Sequence, residues 1–301
     1  MRKLSRRAAS IALAAAMLFT TIGVSQKKVE AASTGKLSVT GYQDYSDAQK
    51  ILKEVNKYRK KNGRKALKMD RGLTNSAIMR GFETTIYIPE TSPHRRPNGK
   101  LSKSINKKII YENCAQSAGT TPKQIVKGWI NSSTHRKGLL LSNAKSVGVA
   151  AVTVVSRDGY EANTWVLDFS SSKAKKVEKS KARKQFTKNI VTKNSYLKKS
   201  YLKLDSRYGT IWETEKMQMK PTYQGKMMKE YGVYPTVINT SSFTSWKSSN
   251  PSVASVDSNG RITGNKAGTV TISAKLKTGT KITISKKIKV VPTNQQIDPW
   301  E

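Results

Sequence analysis

Along the first half of the chain the apolar positions change period twice. Ala48, Ile51, Leu52, Val55 and Tyr58 recur at three- and four-residue spacing, which predicts a helix. Ser46 and Gln49 fit a capping box at its start, and Asn62-Gly63 fits a left-handed cap at its end. A second helical pattern runs from Asp70 to about Tyr87 and stops before Pro89; three prolines between Pro89 and Gly99 predict a loop. Thr121-Pro122 opens another helix, with proline at the first helical position, Gln124 completing a capping box, and an apolar face of Ile125, Val126, Trp129 and Ile130. The period then shortens to that of a strand. Ser146–Val155 is rich in Val and Ala, Asp158-Gly159 predicts a hairpin turn, and Ala162–Phe169 alternates back. Helices packed against hairpin strands within one unit predict an α+β domain.

Residues 171–195 interrupt this order with nine Lys/Arg and one Glu, which predicts a solvated basic linker. From Tyr196 the signals are all-β: Thr269–Ala274 and Lys281–Val291 alternate as strands, and Asn259-Gly260 and Thr278-Gly279 mark turns. The resulting layout is a leader over residues 1–31, a short segment over 32–43, an α+β domain over 44–172, a linker over 173–195, a β domain over 196–293, and a tail over 294–301.

The leader reading rests on Arg2, Lys3, Arg6 and Arg7 followed by the apolar run from Ala8 to Val24, with cleavage expected before Ala32. No later apolar run reaches spanning length, so the mature chain is expected to be secreted or associated with the cell wall, without a transmembrane segment. Composition sharpens the choice of partners. The full chain has 56 Lys+Arg against 19 Asp+Glu, and the mature chain keeps a net charge of +32. Such a field favours anionic cell-wall polymers, acidic glycans or acidic lipids. Nucleic acid is disfavoured, because the sequence shows no helix-turn-helix, zinc-finger or aromatic RNA-binding pattern. A single cysteine, Cys114, excludes an intramolecular disulfide, so both domains need true apolar cores.

Five short stretches occur in a suggestive order: VNKYR at Val55–Arg59, HRRPNG at His94–Gly99, YENCAQ at Tyr111–Gln116, WINSSTHR at Trp129–Arg136 and VGVA at Val147–Ala150, closed by TWVLDF at Thr164–Phe169. Together they resemble the CAP superfamily (cysteine-rich secretory, antigen 5, pathogenesis-related 1). The stretch SWKSSNPSVASVDSNGRITGNKAGTVTISAK, Ser245–Lys275, resembles the group 2 bacterial immunoglobulin-like family, with Trp246 expected as a buried core aromatic. The resemblance implies an α-β-α sandwich followed by an immunoglobulin-like β-sandwich.

It also implies a cleft. His94 and His135, the two histidines of the chain, take the family's histidine positions, and Glu112 takes the acid of its GEN motif. Ser132 stands where a second acid is usual, Tyr111 replaces the usual glycine, and Cys114 replaces an aliphatic residue. The ligand cleft is therefore expected from His94, Glu112, His135 and Ser132. Two imidazoles suit zinc or copper as a weak, solvent-completed site held by His94 and His135. Glu83, on the second helix with Arg80 as its neighbour, is placed to reach the same cleft but is not expected as a ligand. If the protein is an enzyme, Glu112 is the general base of a metal-assisted or Glu/His-dependent extracellular hydrolase. The sequence supplies no evident nucleophile, since Cys114 sits at a strand position that favours an inert thiol. The preferred reading is non-enzymatic: a binding or adhesion protein with a small unidentified ligand in the cleft and a basic surface toward the envelope.

Overall fold

The computed structural model describes residues 33–86, 94–117, 119–156, 159–206 and 209–293. The leader over 1–31, much of the Pro89–Gly99 loop, Asp158 of the hairpin turn and the tail over 294–301 lie outside them. Strand β1 (Thr34–Asp44) occupies what the sequence reads as a short N-terminal segment. It runs directly into helix α1 (Tyr45–Lys61), where Asp44 caps the helix by accepting from the Asp47 amide at 2.9 Å. The capping box expected at Ser46 and Gln49 does not form. Asp44 is the last extended residue, so Ser46 is already inside the first turn, and Gln49 donates to the Glu178 carbonyl at 2.9 Å instead.

The next elements are β2 (Lys68–Met69), α2 (Arg71–Thr84), β3 (Tyr111–Ser117), α3 (Pro122–Asn131), α4 (Ser133–Leu139), β4 (Ser146–Val155), β5 (Glu161–Ser170) and β6 (Arg183–Lys193). At α3 the expected reciprocal cap between Thr121 and Gln124 is present, with Pro122 in the first turn. The strands form one sheet in the order β3-β5-β4-β1-β6, with β2 parallel to β4. Nearly all of β4 is buried, because both faces are covered. Val147, Val149 and Ala151 pack with Ala48, Ile51 and Val55 of α1 and Trp129 of α3, whereas Ala150, Val152 and Val154 pack with Ala77, Ile78 and Phe82 of α2. Alternate side chains of one strand thus feed two helical layers, giving an α-β-α sandwich. Gly148 makes this possible, since a Cβ there would collide with the Leu73 carbonyl at the start of α2.

The basic stretch read as a linker is partly a strand. β6 pairs antiparallel with β1 over its whole length, from Thr34↔Lys193 to Asp44↔Arg183. It is an edge strand with Ile190 and Thr192 buried, while most of its other side chains face solvent. Lysines on a one-sided edge strand give the same local composition as solvated coil, and they also protect the edge from adventitious pairing.

The second part contains β7 (Leu202–Asp205), β8 (Thr210–Trp212), β9 (Lys216–Gln218), β10 (Lys220–Tyr223), α5 (Lys226–Glu230), β11 (Thr236–Val237), β12 (Phe243–Ser248), β13 (Ala254–Val256), β14 (Arg261–Gly264), β15 (Gly268–Leu276) and β16 (Thr283–Val291). They form sheets ordered β11-β10-β7, β12-β15-β16-β8 and β13-β14-β9. Trp246 is half-buried rather than fully buried, with its indole over Gly260. Gly260 has φ +75°, and a Cβ there would lie 2.6 Å from the Trp246 ring, so both the turn and the contact require glycine.

The two parts share a seam. Ser38 on β1 donates its amide to Ser242 Oγ at 2.8 Å, and Asn239 donates its amide to the Ser38 carbonyl and its side-chain amide to Thr40 Oγ1. Thr236 Oγ1 donates to the Thr85 carbonyl at 2.7 Å in a buried position. The apolar cluster on the α2 face continues without interruption into Leu202, Leu204, Ile272 and Ile288 of the second part.

Candidate functional site

The end of α2 carries Arg80 and Glu83 one turn apart, both with fully buried side chains. An arginine there is stable only if its charge is met locally. Glu112, near the start of β3, meets it with both oxygens: Arg80 Nε donates to Oε2 at 2.8 Å and Nη2 donates to Oε1 at 3.2 Å. Arg80 Nη1 donates to Glu83 Oε2 at 3.0 Å. Arg96 closes the far side, donating to Glu83 Oε1 from Nη2 at 2.6 Å. Arg96 is positioned by a tight turn, in which its amide donates to the Lys100 carbonyl and the Gly99 amide donates back to the Arg96 carbonyl. Two guanidiniums and two carboxylates therefore alternate across the site.

The same turn holds His94, whose carbonyl accepts from the Ser102 amide at 2.8 Å. His94 Nδ1 lies 2.9 Å from Glu112 Oε1, and its ring is about one-third exposed, at 34%. Burial pushes the Glu112 carboxyl upward, but the His94 hydrogen bond and the Arg80 charge outweigh it and hold the group below the usual glutamate range. An ionised carboxylate only accepts, so Nδ1 of His94 carries the proton and Nε2 faces away from Glu112. Burial opposes the charge on Arg80 as well, and Glu112 and Glu83 overcome it and raise its pKa.

His135 stands on α4. Ser132 ends α3 and caps α4, and its Oγ lies 2.9 Å from His135 Nδ1. Tyr111 and Asn113 tie α4 to β3 by donating to the carbonyls of Thr134 and His135, each at 2.9 Å. The Tyr111 ring lies against Gly138, so the residue that replaces the family's usual glycine acts as a strut between β3 and α4. Burial lowers the His135 pKa, and the nearby charge of His94 lowers it further. The two imidazoles are thus within electrostatic reach, and each already uses Nδ1.

Asp168 is the residue the sequence reading missed. It lies directly opposite Glu112 on β5, fully buried, and neither carboxylate oxygen has a hydrogen-bond partner among the described residues. Burial and the negative charge of Glu112 raise its pKa well above the normal aspartate value, favouring the protonated form. Its signal in the sequence is a single acid inside the apolar run Trp165–Phe169. The Cys114 thiol is pushed up to about 12, first by burial and then by Glu112, which makes it a poor nucleophile.

For a metal, ligand atoms of His94, Glu112 and Cys114 lie within 4.8 Å of one another. Both Glu112 oxygens are engaged, and Arg80 places a positive charge beside them. The arrangement fits a carboxylate that orients a histidine from behind better than a carboxylate that ligates, leaving Nε2 of His94 and of His135 as the nitrogens suited to zinc or copper. A polar cavity of about 110 Å³ lies elsewhere, lined by Asp44, Asp47, Glu161, Asn163, Trp165 and Arg183, and none of the four cleft residues contributes to it.

Residues 52–169 match the model of CAP, the cysteine-rich secretory protein family, and residues 224–288 match that of the bacterial Ig-like domain, group 2. The chain carries a CAP domain followed by a bacterial immunoglobulin-like domain. Every cluster residue described above, from Arg80 to Asp168, falls within the CAP match. A curated relative, the uncharacterized protein YkwD of Bacillus subtilis, is 31% identical over 130 residues, covering 42% of this chain and 48% of its own. The chain thus spans about half the length of that relative. An outer surface protein from Borrelia burgdorferi is similar at 18% identity and a TM-score of 0.33, covering 43% of this chain and 98% of that one. An extracellular protein containing a SCP domain from Bacillus anthracis is similar at 19% identity and a TM-score of 0.32, covering 42% and 41%. Among the described residues no helix is long and apolar enough to cross a membrane.

Proposed function

We propose that this chain is an extracellular binding protein, with a ligand cleft at His94, Glu112, His135 and Ser132 and a basic surface that attaches it to anionic envelope polymers. The observation that carries the non-enzymatic reading is the engagement of Glu112. Its two oxygens are held by Arg80 and His94, and its affinity for a proton is lowered. A general base works best with a pKa near the working pH and a free lone pair toward substrate. Glu112 has a lowered pKa and a side chain buried behind Arg80 and His94, away from substrate, and the raised Cys114 pKa removes the nearest thiol. The Ser132–His135 contact resembles half of a nucleophilic pair, yet Ser132 already caps α4 and orients the imidazole. Zinc or copper, when bound, is held by His94 and His135 and supplies Lewis acidity or an anchoring point for an anionic ligand.

The envelope role follows from charge. The net charge of +32 on the mature chain gives a long-range field that salt screens. Isolated cell walls are expected to retain the protein at low salt and release it as salt rises; retention indifferent to salt overturns electrostatic attachment. In the cleft, calorimetric titration of zinc and of copper into wild type and a His94→Ala/His135→Ala variant is expected to give heats in the first alone. Equal heats from both remove the metal. Hydrolysis lost in a folded Glu112→Gln variant would return the alternative of a Glu/His-dependent hydrolase.

A further inference from the structure

Four of the seven large apolar side chains left exposed among the described residues lie on the two segments that meet at the seam between the CAP and immunoglobulin-like parts. Val155 and Tyr160 flank the β4–β5 hairpin turn, and Tyr231 and Tyr234 lie on the segment between α5 and β11. An isolated bridge between Ser156 and Thr236 brings the two segments together. Tyr160 and Tyr234 then stack with centroids 4.8 Å apart and planes 18° from parallel. Tyr160, Tyr231 and Tyr234 are 57%, 60% and 50% exposed, and each of the two stacked rings has one face covered by the other. On α5, which leads directly into the Tyr231–Tyr234 segment, Lys229 donates to the Ser200 carbonyl at 3.0 Å, and Lys198 and Lys229 both lie over the Tyr201 ring, at 5.6 and 5.5 Å. Those ammonium groups are held in place by the aromatic ring.

We infer that this seam is a docking platform for an anionic glycopolymer, a chain in which sugar rings alternate with phosphate or other acidic groups. The inference rests on the envelope-binding reading above and assigns it a place. Tyrosine suits this partner because its ring offers a flat apolar face to a sugar while its hydroxyl exchanges hydrogen bonds with sugar hydroxyls, and it loses little side-chain entropy on binding. The neighbouring lysines supply the complementary charge. A lipid surface would call for aliphatic side chains that enter the acyl layer alongside the interfacial aromatics, and Val155 is the lone aliphatic member of the patch.

Three probes separate rings from charge: dextran sulfate carries both, polyphosphate carries charge alone, and dextran carries rings alone. Wild type is expected to bind dextran sulfate more tightly than polyphosphate and dextran weakly. Tyr160→Ala/Tyr234→Ala is expected to weaken dextran sulfate binding roughly tenfold and leave polyphosphate binding unchanged. Because that pair also supports the seam, Tyr231→Ala, outside the stack, serves as a second variant with an expected loss of several-fold. Unchanged dextran sulfate binding in both variants, or an equal fall for polyphosphate, overturns the platform while leaving electrostatic attachment standing. Failure of wild type to bind either polyanion overturns both. Phosphatidylglycerol vesicles that bind wild type and lose binding in the same variants overturn the glycopolymer in favour of a lipid surface.

Discussion

Glu112 and Asp168 face each other across two adjacent strands and are shifted in opposite directions, which gives the site an unusual pH signature. Glu112 is depressed by His94 and Arg80, so it contributes stability above the ordinary glutamate range and loses it as pH falls through its folded pKa. Asp168 is raised by burial and by Glu112, so folding holds its proton longer than the unfolded chain does. Its stability contribution is complete below the unfolded aspartate pKa and is lost as pH rises through the folded value. Asp168→Asn, a neutral isostere, is therefore expected to raise the melting temperature at neutral and alkaline pH, on the order of 2–4 °C, with the difference vanishing in acid. A gain that does not depend on pH would assign the effect to packing. Glu112→Gln is expected to cost about 3–5 kcal/mol in urea unfolding, because Arg80 loses its bidentate counter-charge while staying buried. The two acids differ in how far the sequence exposes them. Glu112, like His94 and His135, announces itself as a motif member, whereas Asp168 acquires its chemistry only when β3 and β5 come into register.

Among the elements, those that bury a whole face were legible: the apolar stripe of α1, the Thr121–Gln124 cap of α3, and the Val/Ala run of β4. The misread one was β6. Of its eleven residues, Ile190 and Thr192 are the ones turned fully inward, and Arg183, Lys184, Lys188 and Lys193 are spread through the rest. Periodicity has too few buried positions there to stand out from solvated basic coil, and the information that makes it a strand lies in β1, well over a hundred residues earlier. Hydrogen exchange tests this directly. Amides of β6 bonded to β1 are expected to be protected together with those of β1, whereas a linker would exchange at the rate of unstructured chain. At the α2–β4 contact, Gly148→Ala forces α2 away from the sheet and is expected to destabilise by roughly 1–3 kcal/mol. A neutral result would mean that α2 slides without cost, and Arg80 and Glu83 would then lose their firm positioning on Glu112.

For the molecule as a whole, the sequence reading of two domains joined by a basic linker predicts two independent melting events. The structure argues for coupling. Residues of α2 and β4 in the CAP part and of β7, β15 and β16 in the immunoglobulin-like part belong to one continuous apolar cluster. Polar contacts reinforce it at Ser38–Ser242, Thr40–Asn239 and Thr85–Thr236, all between residues more than 150 positions apart. A surface this apolar and this well paired is costly to expose, so opening the seam while both parts stay folded is disfavoured. Scanning calorimetry of the mature chain is expected to give one transition, with calorimetric and van't Hoff enthalpies in agreement. Asn239→Ala removes the side-chain bonds to the hydroxyls of Ser38 and Thr40 while keeping the backbone bond to the Ser38 carbonyl. It is expected to weaken that transition by roughly 1–2 kcal/mol without splitting it. Two resolved transitions in wild type would make the immunoglobulin-like part a separable module. A single one makes it a buttress for the end of α2, where Thr236 bonds the Thr85 carbonyl, and so for Arg80 and its partners Glu112 and His94.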